Sequence, residues 1–167
     1  MNVYLTHGSD YYMNRLIDKH PDRSILKFAG PDDIVLYEAT ELKTVFSSGE
    51  AYEVIEQNGE VTDKGPIMMR YFQVSEEKVK VAENALADHG DFNQYEGYQS
   101  YQLLRPLRGQ TYISLFQFSD PESLEDFKKS SVYRERYDET LKQYQSADFV
   151  SNIQFTKILH PYSSLEA

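Results

Sequence analysis

The chain has 167 residues, of which 40% are hydrophobic and 14% aromatic, with 14 Tyr, 9 Phe, no Trp and a formal net charge of -10. That length suits one large domain or two small fused units, with roughly two thirds of the unfolded surface buried. The absence of Cys excludes disulfides, thiolate metal sites, cysteine nucleophiles and iron–sulfur clusters, and the acidic balance disfavours binding to nucleic acid or to an anionic membrane surface.

Met1 to Gly8 carries neither a basic leader nor a signal-length apolar run, and no window approaches ~18 apolar residues, so the expectation is a cytoplasmic, non-spanning protein. Residues 2–6 read as a strand. Ser9 or Asp10 then caps a helix through His20, with Tyr12, Leu16, Met13 and Ile17 at three- and four-residue spacing and Pro21 ending the pattern. Apolar runs at 24–29 and 34–39 flank Gly30-Pro31-Asp32-Asp33, a turn between strands. Thr44 to Phe46 and Tyr52 to Ile55 are shorter strand signals, and Asn58-Gly59 marks a turn.

Asp63-Lys64-Gly65-Pro66 is the best boundary, dividing a unit of residues 1–64 from one of residues 65–162. The tail, 163–167, includes a Leu165-Glu166-Ala167 end of the kind that cloning leaves behind, and it is set aside from fold reasoning. After the boundary comes the longest apolar strand signal, Ile67 to Val74. Ser75-Glu76-Glu77 then opens a helix with Val79, Ala82 and Leu86 on one face, closing at Asp88-His89-Gly90. Two strands, Gly97 to Arg105 and Gln110 to Ser119, are joined by Pro106-Leu107-Arg108-Gly109. Asp120-Pro121-Glu122 starts a helical stretch to about Gln145, kinked near Ser130-Ser131, and Phe149 to Leu159 is the last strand.

The order is β-α-β-β followed by β-α-β-β-α-β, an α+β, ferredoxin-like pattern. Helices on one face of each sheet leave the other bare, so the two halves are expected to pack sheet against sheet within one chain, with a cavity between sheet and helices.

Chemistry is sparse. His7, His20, His89 and His160 show no metal-ligand spacing, although His7 and His160 end terminal strands and are the pair most able to meet. No dinucleotide, phosphate-loop or nucleophile-elbow motif is present. Arg105 and Arg108 place two guanidinium groups near one turn, suited either to solvent or to a carboxylate or propionate. Alternation puts Met68 and Arg70 on one face and Met69 and Tyr71 on the other, so Arg70 asks for an ion-pair partner, an anionic ligand or a route to water. Tyr95, Tyr98, Tyr101 and Tyr112 lie near the expected cavity, for packing or for ligand stacking, and the spacing of Tyr98 and Tyr101 predicts opposite faces.

The runs Gly97-Tyr98-Gln99-Ser100-Tyr101-Gln102-Leu103-Leu104-Arg105-Pro106, Gly109-Gln110-Thr111-Tyr112 and Glu125-Asp126-Phe127-Lys128-Lys129-Ser130, with Tyr52-Glu53-Val54-Ile55 and Gly59, resemble the TRAP and HmoB-like branch of the antibiotic-biosynthesis-monooxygenase superfamily. The resemblance covers nearly the whole chain. It implies a dimeric α+β barrel type of fold made from both halves of the chain. It also implies a TRAP-like signal transduction, regulatory or stress-linked role with a protein partner, a homodimer and peripheral membrane association. The heme-degrading relatives use an Asn, Trp, His set, at whose positions this chain has Arg70, Phe127 and Tyr137. The resemblance therefore implies that this set is lost. The alternatives are a heme-binding or heme-degrading protein using Tyr137 as iron ligand with Arg70 and Arg105 on the propionates, or an interaction module without a pocket. Histidine phosphorylation, regarded as a property of TRAP, meets Lys64-Gly65, Lys80 and Asn152 or nearby non-histidine residues here.

Overall fold

A computed structural model describes residues 1–87, 92–144 and 154–162. The expectations for Asp88-His89-Gly90, Gln145, Phe149 to Ile153 and 163–167 lie outside the described residues. In the N-terminal half, β1 (Asn2–Gly8) and α1 (Asp10–Lys19) precede β2 (Leu26–Ala29), β3 (Ile34–Thr40) and β4 (Glu50–Asn58). The C-terminal half runs β5 (Ile67–Gln73), a short turn of helix, α2 (Val79–Ala87), β6 (Tyr98–Pro106), β7 (Thr111–Phe118), α3 (Pro121–Lys128), a π-helical stretch (Val132–Tyr137), α4 (Asp138–Tyr144) and β8 (Gln154–Pro161).

The strands close into one barrel in the order β1-β3-β2-β8-β5-β7-β6-β4. Within it, β4-β1-β3-β2 and β8-β5-β7-β6 share one order: fourth strand, first, third, second. The halves do enclose a common core, where Val3, Leu5, Phe28, Ile67, Ile113 and Leu159 meet. They also join edge to edge. β4 pairs with β6 from Tyr52↔Pro106 to Asn58↔Tyr101, and β2 pairs with β8 at Phe28↔Pro161 and Ala29↔His160. Closure satisfies the backbone groups that two free sheets would leave exposed at their edges.

Local chemistry accounts for most element ends. Ser9 caps α1 by accepting from the Tyr12 backbone N–H, and Asp120 caps α3 by accepting from that of Ser123 at 2.8 Å. Ser75 gives no such side-chain bond; its carbonyl accepts from the Lys78 N–H at 2.8 Å, which starts α2 through a tighter turn. Thr44 to Phe46 is not a strand. The Thr44 hydroxyl accepts from the Phe46 N–H at 3.0 Å, and this local bond turns the chain so that Phe46 packs with Met13 and Leu36. The face of α1 is also rotated from expectation, with Met13, Leu16 and Ile17 toward the sheet and Tyr12 exposed. The expected kink falls where Ser130 accepts from the Tyr133 N–H and donates to the Phe127 carbonyl at 2.6 Å.

Candidate functional site

Alternation along β5 turns Met69 and Tyr71 into the barrel and Met68, Arg70 and Phe72 outward, under the helices. From β7, Tyr112, Phe116 and Phe118 meet that same layer, with Ser114 between them in register with Arg70. The helices supply Phe127, Tyr133 and Tyr137, the last two one helical turn apart with rings 6.0 Å apart and 13° from parallel. Strand and helices thus bring the three positions singled out by resemblance into one layer, linked through Tyr133 and Phe116.

Arg70 forms an ion pair with Asp138 and donates to the Tyr133 hydroxyl at 3.1 Å. Burial works against its charge, but Tyr133 and Asp138 outweigh it, and the guanidinium is held more firmly protonated than usual. The anion partner expected of a mid-strand arginine is therefore Asp138. Phe127 is 0% exposed and sits 4.9 Å from Phe118, 5.3 Å from Phe116 and 5.4 Å from Phe92 by ring centroid. Tyr137, 3% exposed, shares a hydrogen bond with Tyr101 at 3.1 Å and another with Ser114. Burial first, then the neighbouring Tyr101, push its phenol well above the usual range.

Arg105 and Arg108 do not act as a pair in this structure. Arg105 holds the Glu83 carboxylate through two nitrogens at 2.8 and 2.6 Å and Glu53 at 2.6 Å, while Tyr112 donates to Glu83 at 2.6 Å. The Arg105 bonds hold Glu83 below the ordinary carboxylate range, with burial opposing and Tyr112 assisting. Arg108 is exposed at one mouth of the barrel. His7 bonds Asp33 at 2.7 Å, and His160 stands opposite Ala29.

Tyr98 and Tyr101 contact the same helix-facing layer, against expectation. The register shifts between Tyr98 and Ser100, and the extra residue Gln99 turns the strand over by one position. Residues 98–101 thus contribute two aromatic rings to one side, Tyr98 against Phe118 and Tyr101 against Phe116.

Tyr133, Asp138, Ser114 and Glu83 complete the two networks and were not singled out by sequence. Their signals are weak but present: a tyrosine four residues before Tyr137, an acid just after it, a small polar residue inside the apolar run 112–118, and a glutamate beside Ala82 on the buried face of α2. The described residues do not fit heme in this arrangement. Iron could reach the Tyr137 oxygen only by displacing Ser114 and Tyr101, a propionate would have to displace Asp138 or Glu83, and the face of Phe127 is already covered by its own neighbours.

Among the described residues, no helix is long and apolar enough to cross a membrane. The family model described as Antibiotic biosynthesis monooxygenase matches residues 67–138, from the start of β5 to the start of α4. The signal transduction protein TRAP of Staphylococcus aureus is 30% identical over 161 residues, which is 95% of this chain and 96% of that protein. TRAP of Staphylococcus epidermidis is 29% identical over 164 residues, covering 96% and 98%. A solved structure described as a major regulator of staphylococcal pathogenesis superposes with a TM-score of 0.88 at 28% identity, covering 98% of this chain and 100% of that one. A heme-degrading enzyme from Listeria monocytogenes shares the fold, with a TM-score of 0.78 at 16% identity over 97% and 100% of the two chains. Sequence and barrel agree over almost their whole length, and the chain belongs to the TRAP protein family, carrying its antibiotic biosynthesis monooxygenase match in the C-terminal half.

Proposed function

We propose that this chain is a TRAP-like signal transduction, regulatory or stress-linked protein, built on a monooxygenase fold that has lost the heme-degrading set. The observation that carries this reading is the state of Tyr137. It is buried, is hydrogen-bonded to Ser114 and Tyr101, and has its ionisation pushed upward. An iron-ligating phenolate needs the opposite: an accessible oxygen and an easily lost proton. Arg70 and Phe127 support the same conclusion, since each spends its functional surface on Asp138, Tyr133 or neighbouring rings. The layer reads as a rigid support for a protein that acts through its surface, with residues 1–64 and 65–162 as its two units.

Hemin titration followed at the Soret band, with a reductant added afterwards, tests the proposal. The expected result is no saturable shift and no reductant-dependent loss of the band. Saturable binding that disappears in Tyr137→Phe would overturn the reading in favour of heme chemistry. In the protein's own host, deletion should alter transcript levels, and a Tyr137→Phe copy should restore them if no chemistry at that oxygen is needed.

A further inference from the structure

One mouth of the barrel is open where β5 ends and β8 begins. Tyr71 and Phe155 face each other across these strands, with rings stacked at 4.4 Å and planes 11° apart. Tyr71 is 4% exposed and Phe155 41%, so the stack ends in a ring open to the mouth. Lys157 lies two positions along β8 on the same face, its ammonium 5.4 Å from the Tyr71 ring centre and 5.9 Å from that of Phe155. With Glu50, Tyr52 and Arg108 these side chains line an opening of about 620 Å³. That volume is within the roughly 300–1,000 Å³ of small-molecule sites, which recur at barrel mouths.

The mouth is lined by more basic than acidic side chains, in a chain that is acidic as a whole. Acidic residues outnumber basic ones, 27 to 17, and Arg23, Lys27, Arg70, Arg105, Lys128 and Lys142 each hold a carboxylate. Arg108 and Lys157 are among the described cations that hold none, although Glu50 lines the same opening. Glu50 instead accepts a hydrogen bond from the Tyr52 hydroxyl. Burial, then Glu50 itself, keep both Tyr52 and Tyr71 protonated as phenols. Among the described residues the mouth therefore presents two cations with no carboxylate partner, an exposed aromatic face and an acceptor held in place by a phenol.

We propose that this mouth binds a small planar aromatic anion that also carries a hydrogen-bond donor. Its ring stacks on Phe155, its anionic group meets Lys157 and Arg108, and its donor reaches Glu50. This goes beyond the regulatory reading and does not rest on it. Hemin binding concerns the helix-covered face of β5, where Arg70 points, whereas this site is on the barrel side, where Tyr71 points.

Anilinonaphthalene sulfonate has the required chemistry: fused rings, a sulfonate and an N–H. Its fluorescence should rise saturably with one site per chain. Phe155→Ala should weaken binding about tenfold. Lys157→Gln and Arg108→Gln should each weaken it about threefold, with a larger effect at low salt. Lys128→Gln, on α3 away from the mouth, should leave it unchanged. Amide resonance shifts should cluster at Ala51, Tyr71, Thr111 and Phe155. The proposal fails if binding is not saturable, if Phe155→Ala and Lys157→Gln bind as well as Lys128→Gln, or if the shifts centre on Phe127 and Tyr137.

Discussion

The two halves share a strand order yet bury their outer faces differently. In the C-terminal half, α2, α3, the π-helical stretch and α4 cover the sheet over an aromatic layer that includes Phe92, Phe116, Phe127 and Tyr137. In the N-terminal half, α1 and the connection 41–49 cover it, and the buried cluster reduces to Met13, Ile34, Leu36 and Phe46. The ion pairs differ as well. Arg23 grips Glu38 bidentately at 2.8 and 3.2 Å, both nearly inaccessible, whereas Asp138, the partner of Arg70, keeps contact with solvent. Repeating a topology does not repeat a core: strand order follows from backbone pairing, while the layer above each sheet depends on the helices available to cover it.

The largest expected effect separates the two layers. Phe127→Ala should cost about 3–5 kcal/mol in urea unfolding, because its ring neighbours cannot all collapse into the space, and Met13→Ala about 2 kcal/mol. Equal losses would mean that the aromatic layer adapts as easily as the thinner one. The ion pairs should rank the other way. Arg23→Ala strands a buried Glu38 and should cost about 3–4 kcal/mol, while Arg70→Ala leaves a half-solvated Asp138 at about 2 kcal/mol. A larger loss for Arg70→Ala would show that Tyr133 and Asp138 depend on it more than their geometry implies.

Tyr137→Phe is a smaller perturbation. It leaves Ser114 and Tyr101 without a shared partner, and about 1–2 kcal/mol should be lost with the fold retained. The smallest effect is a pH dependence confined to the C-terminal half. Glu83 has a folded pKa below its unfolded value, so its contribution is complete above the ordinary carboxylate pKa of about 4.3 and is lost as pH falls through the folded value. Acid titration of stability should therefore be shallower in Glu83→Gln than in the parent chain, and an unchanged slope would remove Glu83 from the acid response.

Much of this molecule was legible along the chain. The two-residue alternation of 67–73 and 111–118, the Asp120-Pro121 helix start and the serine-linked kink at Ser130 are local effects, carried by side-chain spacing and short-range hydrogen bonds. Arg70, Phe127 and Tyr137 were legible as positions through resemblance, but their surroundings were not. The misreadings at Tyr98 and Thr44 are of one kind, since a one-residue register shift in the first and one local hydrogen bond in the second redirect the chain without changing the composition around it.

Periodicity and caps act within a few residues, and they set most of the strands and helices, though not the turn at Thr44 to Phe46. Folding in three dimensions was needed to bring β4 to β6 and β2 to β8, Asp138 to Arg70, and Glu50, Arg108, Phe155 and Lys157 to one mouth. Those partners are distant along the chain, and their contacts are set by barrel closure, a constraint that appears only once every strand edge has been paired.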